Sequence, residues 1–358
     1  MNDLSHPLNP STHAAAGDPS PPRALAGGLV ADIGGTNARF GWVSAVDGAV
    51  GHVRTLSAAD HAGPAEAAQA YLAELAPQLG GSFRPPSAAA FAVATAIGDD
   101  RVAFTNSKWA FSRSAAQSAL GLDALLLLND FEALALSLPR LTGQQLMPIG
   151  RAGAAHSATG QVTPRLDGGS LAVIGPGTGL GVAGLMPTRH GWVAIPGEGG
   201  HATLSAADDF DAAVLAAARQ QFPHVSAERL LSGIGLPVLH AAVAAVMGQP
   251  AGSLSSETIV ERGLSGQDAV CSQTVDSFCA LLGSFAGNVA LVLGARGGVY
   301  IGGGIVPRLG ERFHASAFRE RFEAKGRFAN YLQPVPTYLI TDTLAALSGA
   351  ALALAQRD

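Results

Sequence analysis

Leu29-Val30-Ala31-Asp32-Ile33-Gly34-Gly35-Thr36-Asn37 is an apolar run that reaches an acid and then opens into a glycine turn. The pattern returns in the second half, where Leu171-Ala172-Val173-Ile174 leads into Gly175-Pro176-Gly177-Thr178-Gly179. Each turn offers a hydroxyl and several backbone N–H groups with few side chains in the way. Concave rows of amides of this kind bind anions, phosphate above all. Asp32 adds a carboxylate beside the first turn, where a hydrated Mg²⁺ can dock through water. Taken singly, each turn reads as a tight hairpin, since glycine suits any φ > 0 position. Taken together, two Gly-Thr turns and one acid predict a split phosphate clamp.

The 358 residues suggest two domains with sizeable cores. Apolar residues make up 48% and charged residues 14%, the balance of a globular chain with a large interior. The net charge of −5 lacks the footprint of a nucleic-acid binder, so no nucleic-acid partner is expected. The only lysines are Lys108 and Lys325, and neither follows a P-loop glycine pattern, which excludes a Walker-A site. The cysteines, Cys271 and Cys279, cannot staple a fold of this size; reduced thiols and a cytoplasmic address are expected. The first six residues lack the basic and apolar regions of a signal peptide. Phe278–Ala295 is a long uncharged stretch, but Ser284 and Asn288 interrupt it, so it reads as a buried helix and no membrane partner is expected.

Residues 1–27, rich in Pro, Ala, Ser and Gly, read as a disordered tail. A small α/β domain is expected over 28–140, with the C-terminal helix 343–358 packing on it, and a large α/β domain over 141–342. Strands are expected at 29–33, 39–43, 88–94, 124–128, 171–174, 181–186, 191–195, 298–301 and 337–340. Helices are expected at 64–79, from Phe131 to before Pro139, through most of the stretch up to Gly294, and at 344–356. The strand–glycine turn–strand unit occurs once in each half, which argues for duplicated α/β domains facing each other.

Leu125-Leu126-Leu127-Leu128-Asn129-Asp130 places an amide and a carboxylate at the carboxyl end of a buried strand, where open α/β sheets bind ligands. The plain reading of Asp130 is a helix N-cap, with the helix dipole keeping it ionised. Asn129 has no such plain reading. In Pro196-Gly197-Glu198-Gly199-Gly200-His201, glycines crowd an acid and an imidazole into one loop; such groups suit sugar hydroxyls, which both donate and accept. Glu228, after Ser226, looks like an ordinary capped helix start.

Six blocks, Asp32–Arg39, Leu128–Phe131, Gly175–Gly181, Pro196–His201, His224–Gly233 and Gly298–Pro307, together resemble the proteobacterial glucokinases, in that family's order. The resemblance runs from about Leu29 to the C-terminus. It implies the actin-like, ribonuclease-H-like ATPase fold, with two α/β domains facing across a cleft. It implies transfer of the ATP γ-phosphoryl group to the 6-hydroxyl of glucose with Mg²⁺, and a homodimer. Position by position, Asp130 corresponds to the general base. Asn129, Glu198, His201, Glu228 and Gly179 correspond to the sugar site. The turn Asp32, Ile33, Gly34, Gly35, Thr36 and the turn Gly177, Thr178 hold the phosphates, while Gly303 and Gly304 border the adenosine. The chain departs from the family at Pro176, which has no N–H to offer a phosphate, at Ala96, and at Thr343-Leu344-Ala345-Ala346 before the last helix.

Three other readings compete. Gly179-Leu180-Gly181-Val182-Ala183-Gly184 matches the dinucleotide fingerprint of an oxidoreductase, but that fingerprint needs a helix to follow, and Val182–Met186 reads as strand. A sugar-responsive regulator needs a DNA-reading module, for which 27 proline-rich residues are too few. A kinase of another hexose differs only in hydroxyl geometry.

Overall fold

The computed structural model describes residues 27–95, 97–104, 109–150 and 169–357. The expected tail up to Ala26, Ala96 and the Gly/Ala-rich stretch 151–168 lie outside the described residues.

The two apolar runs that open on glycine turns become the first arms of two hairpins, and each hairpin seeds a sheet. In the first sheet, β1 (Gly28–Ile33) pairs antiparallel with β2 (Asn37–Val43), which pairs antiparallel with β3 (Val50–Ser57). On its other side β1 pairs parallel with β4 (Ala88–Val93), and the short hairpin β5 (Arg101–Ala103) and β6 (Ala110–Ser112) leads to β7 (Ala124–Asn129), parallel to β4. β8 (Leu146–Pro148) then joins the second sheet. There β9 (Leu171–Pro176), β10 (Leu180–Thr188) and β11 (Gly191–Gly197) form the antiparallel half, and β12 (Gly298–Ile301) and β13 (Thr337–Ile340) run parallel to β9. The orders β3-β2-β1-β4-β7 and β11-β10-β9-β12-β13 repeat one topology with the same pairing directions, and β8 extends the second. The internal repeat is therefore structural as well as sequential.

β3 and β8 escape sequence reading for physical reasons. β3 is an outer strand, half-buried or exposed along its length, so no apolar alternation marks it. β8 has three residues and ends on proline.

Helices α1 (Pro64–Leu79) and α2 (Arg113–Ala119) cover the outer face of the first sheet. Between the sheets lies α3 (Asp130–Ser137). The outer face of the second sheet carries α4 (Asp209–Ala218), α5 (Ala227–Leu230), α6 (Leu236–Val246), α7 (Ser256–Ser265) and α8 (Ala269–Leu293). The short helices α9 (Val306–Leu309), α10 (Glu311–His314), α11 (Phe318–Glu323) and α12 (Ala329–Leu332) follow, and α13 (Ala345–Ala355) returns to pack on α3, β1 and β4. α3 and α13 thus share the middle layer, whose core draws Val30 and Ala90 from the first sheet and Val173 and Tyr300 from the second.

α8 is long and apolar enough to cross a membrane, yet 67% of its most apolar window is buried among its neighbours. Its Gly283 lies directly under the carbonyl of Phe318, so the small residue serves close packing of α8 on α11.

Candidate active site

Hydrogen-bond register brings the key strand ends together. Ile33 pairs with Val93, and Val93 with Asn129, so the Asp32–Thr36 turn and the Asn129-Asp130 corner share one end of the first sheet. In the second sheet, Gly302 donates its N–H to the Ile174 carbonyl at 2.8 Å, and Ile305 donates to the Pro176 carbonyl at 3.3 Å. The Gly302–Gly304 loop therefore lies against the start of the second turn, with Gly303 at φ +79°. Pro176 ends strand β9 and lies buried there, before the Gly177–Gly179 turn itself.

The first turn is closed by Gly34 N–H donating to Asn37 O at 2.9 Å, while Thr36 is exposed. Asp32 accepts from Arg39 at 3.1 Å, yet burial outweighs that guanidinium and holds the carboxyl above its ordinary pKa. The second turn is closed by Gly177 N–H donating to Gly179 O at 2.8 Å, and braced from outside by Gly233 N–H donating to Gly177 O at 2.7 Å.

α3 starts one residue earlier than its apolar pattern indicates. Asn129 is the N-cap: its Oδ1 accepts the Phe131 N–H at 2.9 Å, and Glu132 Oε2 accepts the Asn129 N–H at 3.3 Å. The pair forms a capping box. Asn129 thereby acquires the plain structural role that sequence reasoning withheld from it, and its Nδ2 also donates to Thr95 O at 3.3 Å.

Asp130 is the first residue of α3 rather than its cap. Burial outweighs the helix dipole expected to keep it ionised, although a carboxyl at about 6 is still mainly ionised at neutral pH. Burial pushes its carboxyl up to about 6; the Phe131 N–H, donating to Oδ1 at 3.0 Å, pulls the other way, and the nearby charges of Asp32 and Glu198 push it further up. Asp130 thus senses carboxylates from two separate segments, Asp32 and Glu198. A carboxylate half-protonated near pH 6 can accept a proton at neutral pH.

Glu198 and His201 follow β11 on a single 3-10 turn. His201 Nε2 lies 3.9 Å from Glu198 Oε2 and 3.8 Å from Glu228 Oε1. Glu228 reaches this cluster from α5, where Ser226 is the N-cap, and its Oε2 accepts the Leu180 N–H at 2.9 Å. At Gly179 a Cβ would stand 2.5 Å from Glu228 Oε2, so the bare backbone admits the carboxylate. Glu198 and His201 are 70% and 59% exposed, Glu228 only 24%, so the cluster opens to solvent with Glu228 at its base. Glu228 therefore borders the second glycine turn, while Asp130 shares its end of the first sheet with the first turn. Gly303 stands against Pro176 at the start of the second turn.

Arg39, Phe131 and Gly233 were not selected from the sequence. Arg39 had no visible partner across its turn, and Phe131 and Gly233 act through contacts with distant segments.

A family model for glucokinase matches residues 29–357. The chain belongs to the glucokinase family. It is 48% identical over 327 residues to the glucokinase of Chromobacterium violaceum, covering 91% of this chain and 89% of that one. It is likewise 48% identical over 324 residues to the glucokinase of Paramagnetospirillum magneticum, covering 90% and 96%. The crystal structure of a glucokinase from an Antarctic psychrotroph superposes with a TM-score of 0.82 at 38% identity, over 92% of this chain and 99% of that one. The family is one of hexose kinases, with two actin-like ATPase-type domains. The dinucleotide fingerprint at Gly179–Gly184 falls along strand β10, so the helix it requires is absent.

Proposed function

We propose that this chain transfers the γ-phosphoryl group of ATP to the 6-hydroxyl of D-glucose, giving glucose 6-phosphate and ADP. The observation that carries this reading is the placement of Asp130, a half-buried carboxyl titrating near 6, within electrostatic reach of Asp32 on one turn and Glu198 in the His201 cluster. In phosphoryl transfer the protein mainly positions groups and stabilises charge. Asp130 takes the proton of the 6-hydroxyl as that oxygen bonds to the γ-phosphorus and the bond to the β-bridging oxygen breaks. Glu198, His201, Glu228 and Asn129 hold the other hydroxyls beside Gly179. The Asp32–Thr36 and Gly177–Thr178 turns receive the phosphates, and Gly303 and Gly304 border the adenosine.

Mg²⁺ fits this donor set. Among the described residues no three metal-ligating side chains converge; Asp32 would hold a divalent cation through water, with the phosphates supplying the remaining ligands, as is usual for Mg²⁺. When bound it neutralises charge on the phosphates. We place the reaction in the cytoplasm, in keeping with two free, buried thiols, and expect a homodimer, which light scattering tests.

A coupled ADP-release assay across hexoses tests the function. Each hydroxyl mismatch leaves a polar group unpaired, at about 1–3 kcal/mol. Glucose should exceed mannose, galactose and fructose in kcat/KM by at least about tenfold. Glu198→Gln should raise the KM for glucose and change that for ATP much less. Equal kcat/KM across the sugars would overturn the glucose assignment in favour of a broader hexose kinase.

A further inference from the structure

Gly175 and Gly181 face each other as cross-strand partners in the β9–β10 hairpin. Neither has a positive φ, so the backbone does not require glycine at either position. Space does: a Cβ on either residue would overlap the ring of Phe131. The glycine pair is a slot in the second sheet, and the ring that fills it comes from α3 at the end of the first sheet. An aromatic ring laid over strand glycines restores packing that they lack.

The slot lies two residues from Gly177 on one arm and two from Gly179 on the other. At its other end, Phe131 is bonded to the residues before it: its N–H donates to Asp130 Oδ1 at 3.0 Å and to Asn129 Oδ1 at 2.9 Å. Leu134, one turn further along the same face of α3, lies 3.0 Å from where a Cβ on Gly302 would stand. One face of α3 therefore rests on glycines of both hairpin arms that flank the second turn and on Gly302 of the loop after β12.

We propose that Phe131 is a positioning residue: its ring, seated between Gly175 and Gly181, sets the Asp130 carboxylate relative to the Gly177–Gly179 turn. The proposal rests on reading Asp130 as the base and that turn as a phosphate site. A misplacement of about 1 Å between reacting groups can cost about 10²-fold in rate, so loosening the ring affects turnover more than binding.

The test compares Phe131→Leu, Gly181→Ala, Asp130→Asn and the double variant Phe131→Leu/Asp130→Asn in steady-state kinetics from pH 5 to 8. Phe131→Leu should lower kcat at saturating substrates by roughly 10–100-fold, with the KM for glucose changed less than about threefold. The acid limb of kcat/KM should move to lower pH as Asp130 becomes better solvated. Gly181→Ala, which displaces the ring from the opposite side, should do the same. In the Asp130→Asn background, Phe131→Leu should lower kcat no further. Lower melting temperatures with unchanged kcat and acid limb in both single variants would overturn the positioning role while leaving the base in place; multiplying losses in the double variant would overturn it too. Near-normal turnover in Asp130→Asn would overturn the base and the positioning role together. If Phe131→Leu does not fold, Phe131→Met, a flexible apolar filler, carries the same readouts.

Discussion

Leu180 donates its backbone N–H to Glu228 Oε2 at 2.9 Å, which ties the second glycine turn to the base of the His201 cluster. One carboxylate therefore faces both proposed subsites: Oε1 lies 3.8 Å from His201 while Oε2 holds the exit of the turn.

Glu228→Ala should consequently harm both substrates. The loss strands the Leu180 N–H as well as the hydroxyls of the sugar, at about 1–3 kcal/mol for each unpaired group. Initial rates with each substrate varied in turn should show KM rising for glucose and for ATP. Glu198 lies outside both turns, so Glu198→Gln should shift glucose far more than ATP. A Glu228→Ala defect confined to glucose would dissolve the link.

Asp130→Asn should lower kcat by roughly 10²–10⁴-fold, the range for losing a general base, and leave the glucose dissociation constant within an order of magnitude. Isothermal calorimetry beside rapid kinetics separates the two. Near-normal turnover would remove Asp130 from the chemistry.

The same variant should be more stable than the parent at pH 7.5. The folded carboxyl titrates near 6 against an ordinary 3.8, so the unfolded chain gives up this proton first. Stability linked to Asp130 is fully present below about pH 4 and lost as pH rises through 6. At neutral pH the buried charge costs about 1–3 kcal/mol, the upper figure holding only if the carboxylate is fully shielded from the open cleft. Urea titrations should show a gain for Asp130→Asn at pH 7.5 that shrinks towards pH 5; an equal gain at both would point to packing instead of charge.

For activity the sign is reversed. The base works only when ionised, so kcat/KM for glucose should fall with unit slope as pH drops below about 6. Because kcat/KM reports the free enzyme, a limb near pH 4 would mean that Asp130 in the free enzyme is not held up by burial.

Gly349→Ala should destabilise the fold and slow turnover. A Cβ there would overlap the carbonyl of Ala133 in α3, and backbone cannot step aside as a side chain can. Overpacking of this sort costs about 1–3 kcal/mol. Because α3 begins with Asp130, kcat should fall as well. Gly51→Ala, in strand β3 with open space around it, is the control and should stay within about 0.5 kcal/mol. Equal unfolding midpoints for the two would contradict the close approach of α13 to α3.

Much of this protein was legible in one dimension. The two apolar runs ending on glycine turns mark both hairpins, because strand burial and turn chemistry are local properties. α1 runs from Pro64 to Leu79, the bounds that its first-turn proline and apolar spacing predict. The Ser226 cap of α5 was likewise visible, and Asn129 followed by Glu132 carries a capping box that a closer reading of the spacing would have found. What the sequence by itself determined is thus whatever depends on neighbours a few residues away: strands, caps, turns and the repeat. Only the tertiary structure decided the rest. Asp130 titrates near 6 because its burial and the charges of Asp32 and Glu198 come from segments far apart in sequence. Glu228 leaves the ranks of ordinary helix residues because Leu180, 48 positions away, points an N–H at it. Gly175 reads as a turn residue and Gly181 as the start of a strand until the Phe131 ring is seen against both; the force that requires glycine there is exclusion of volume by a distant side chain, which no local pattern encodes.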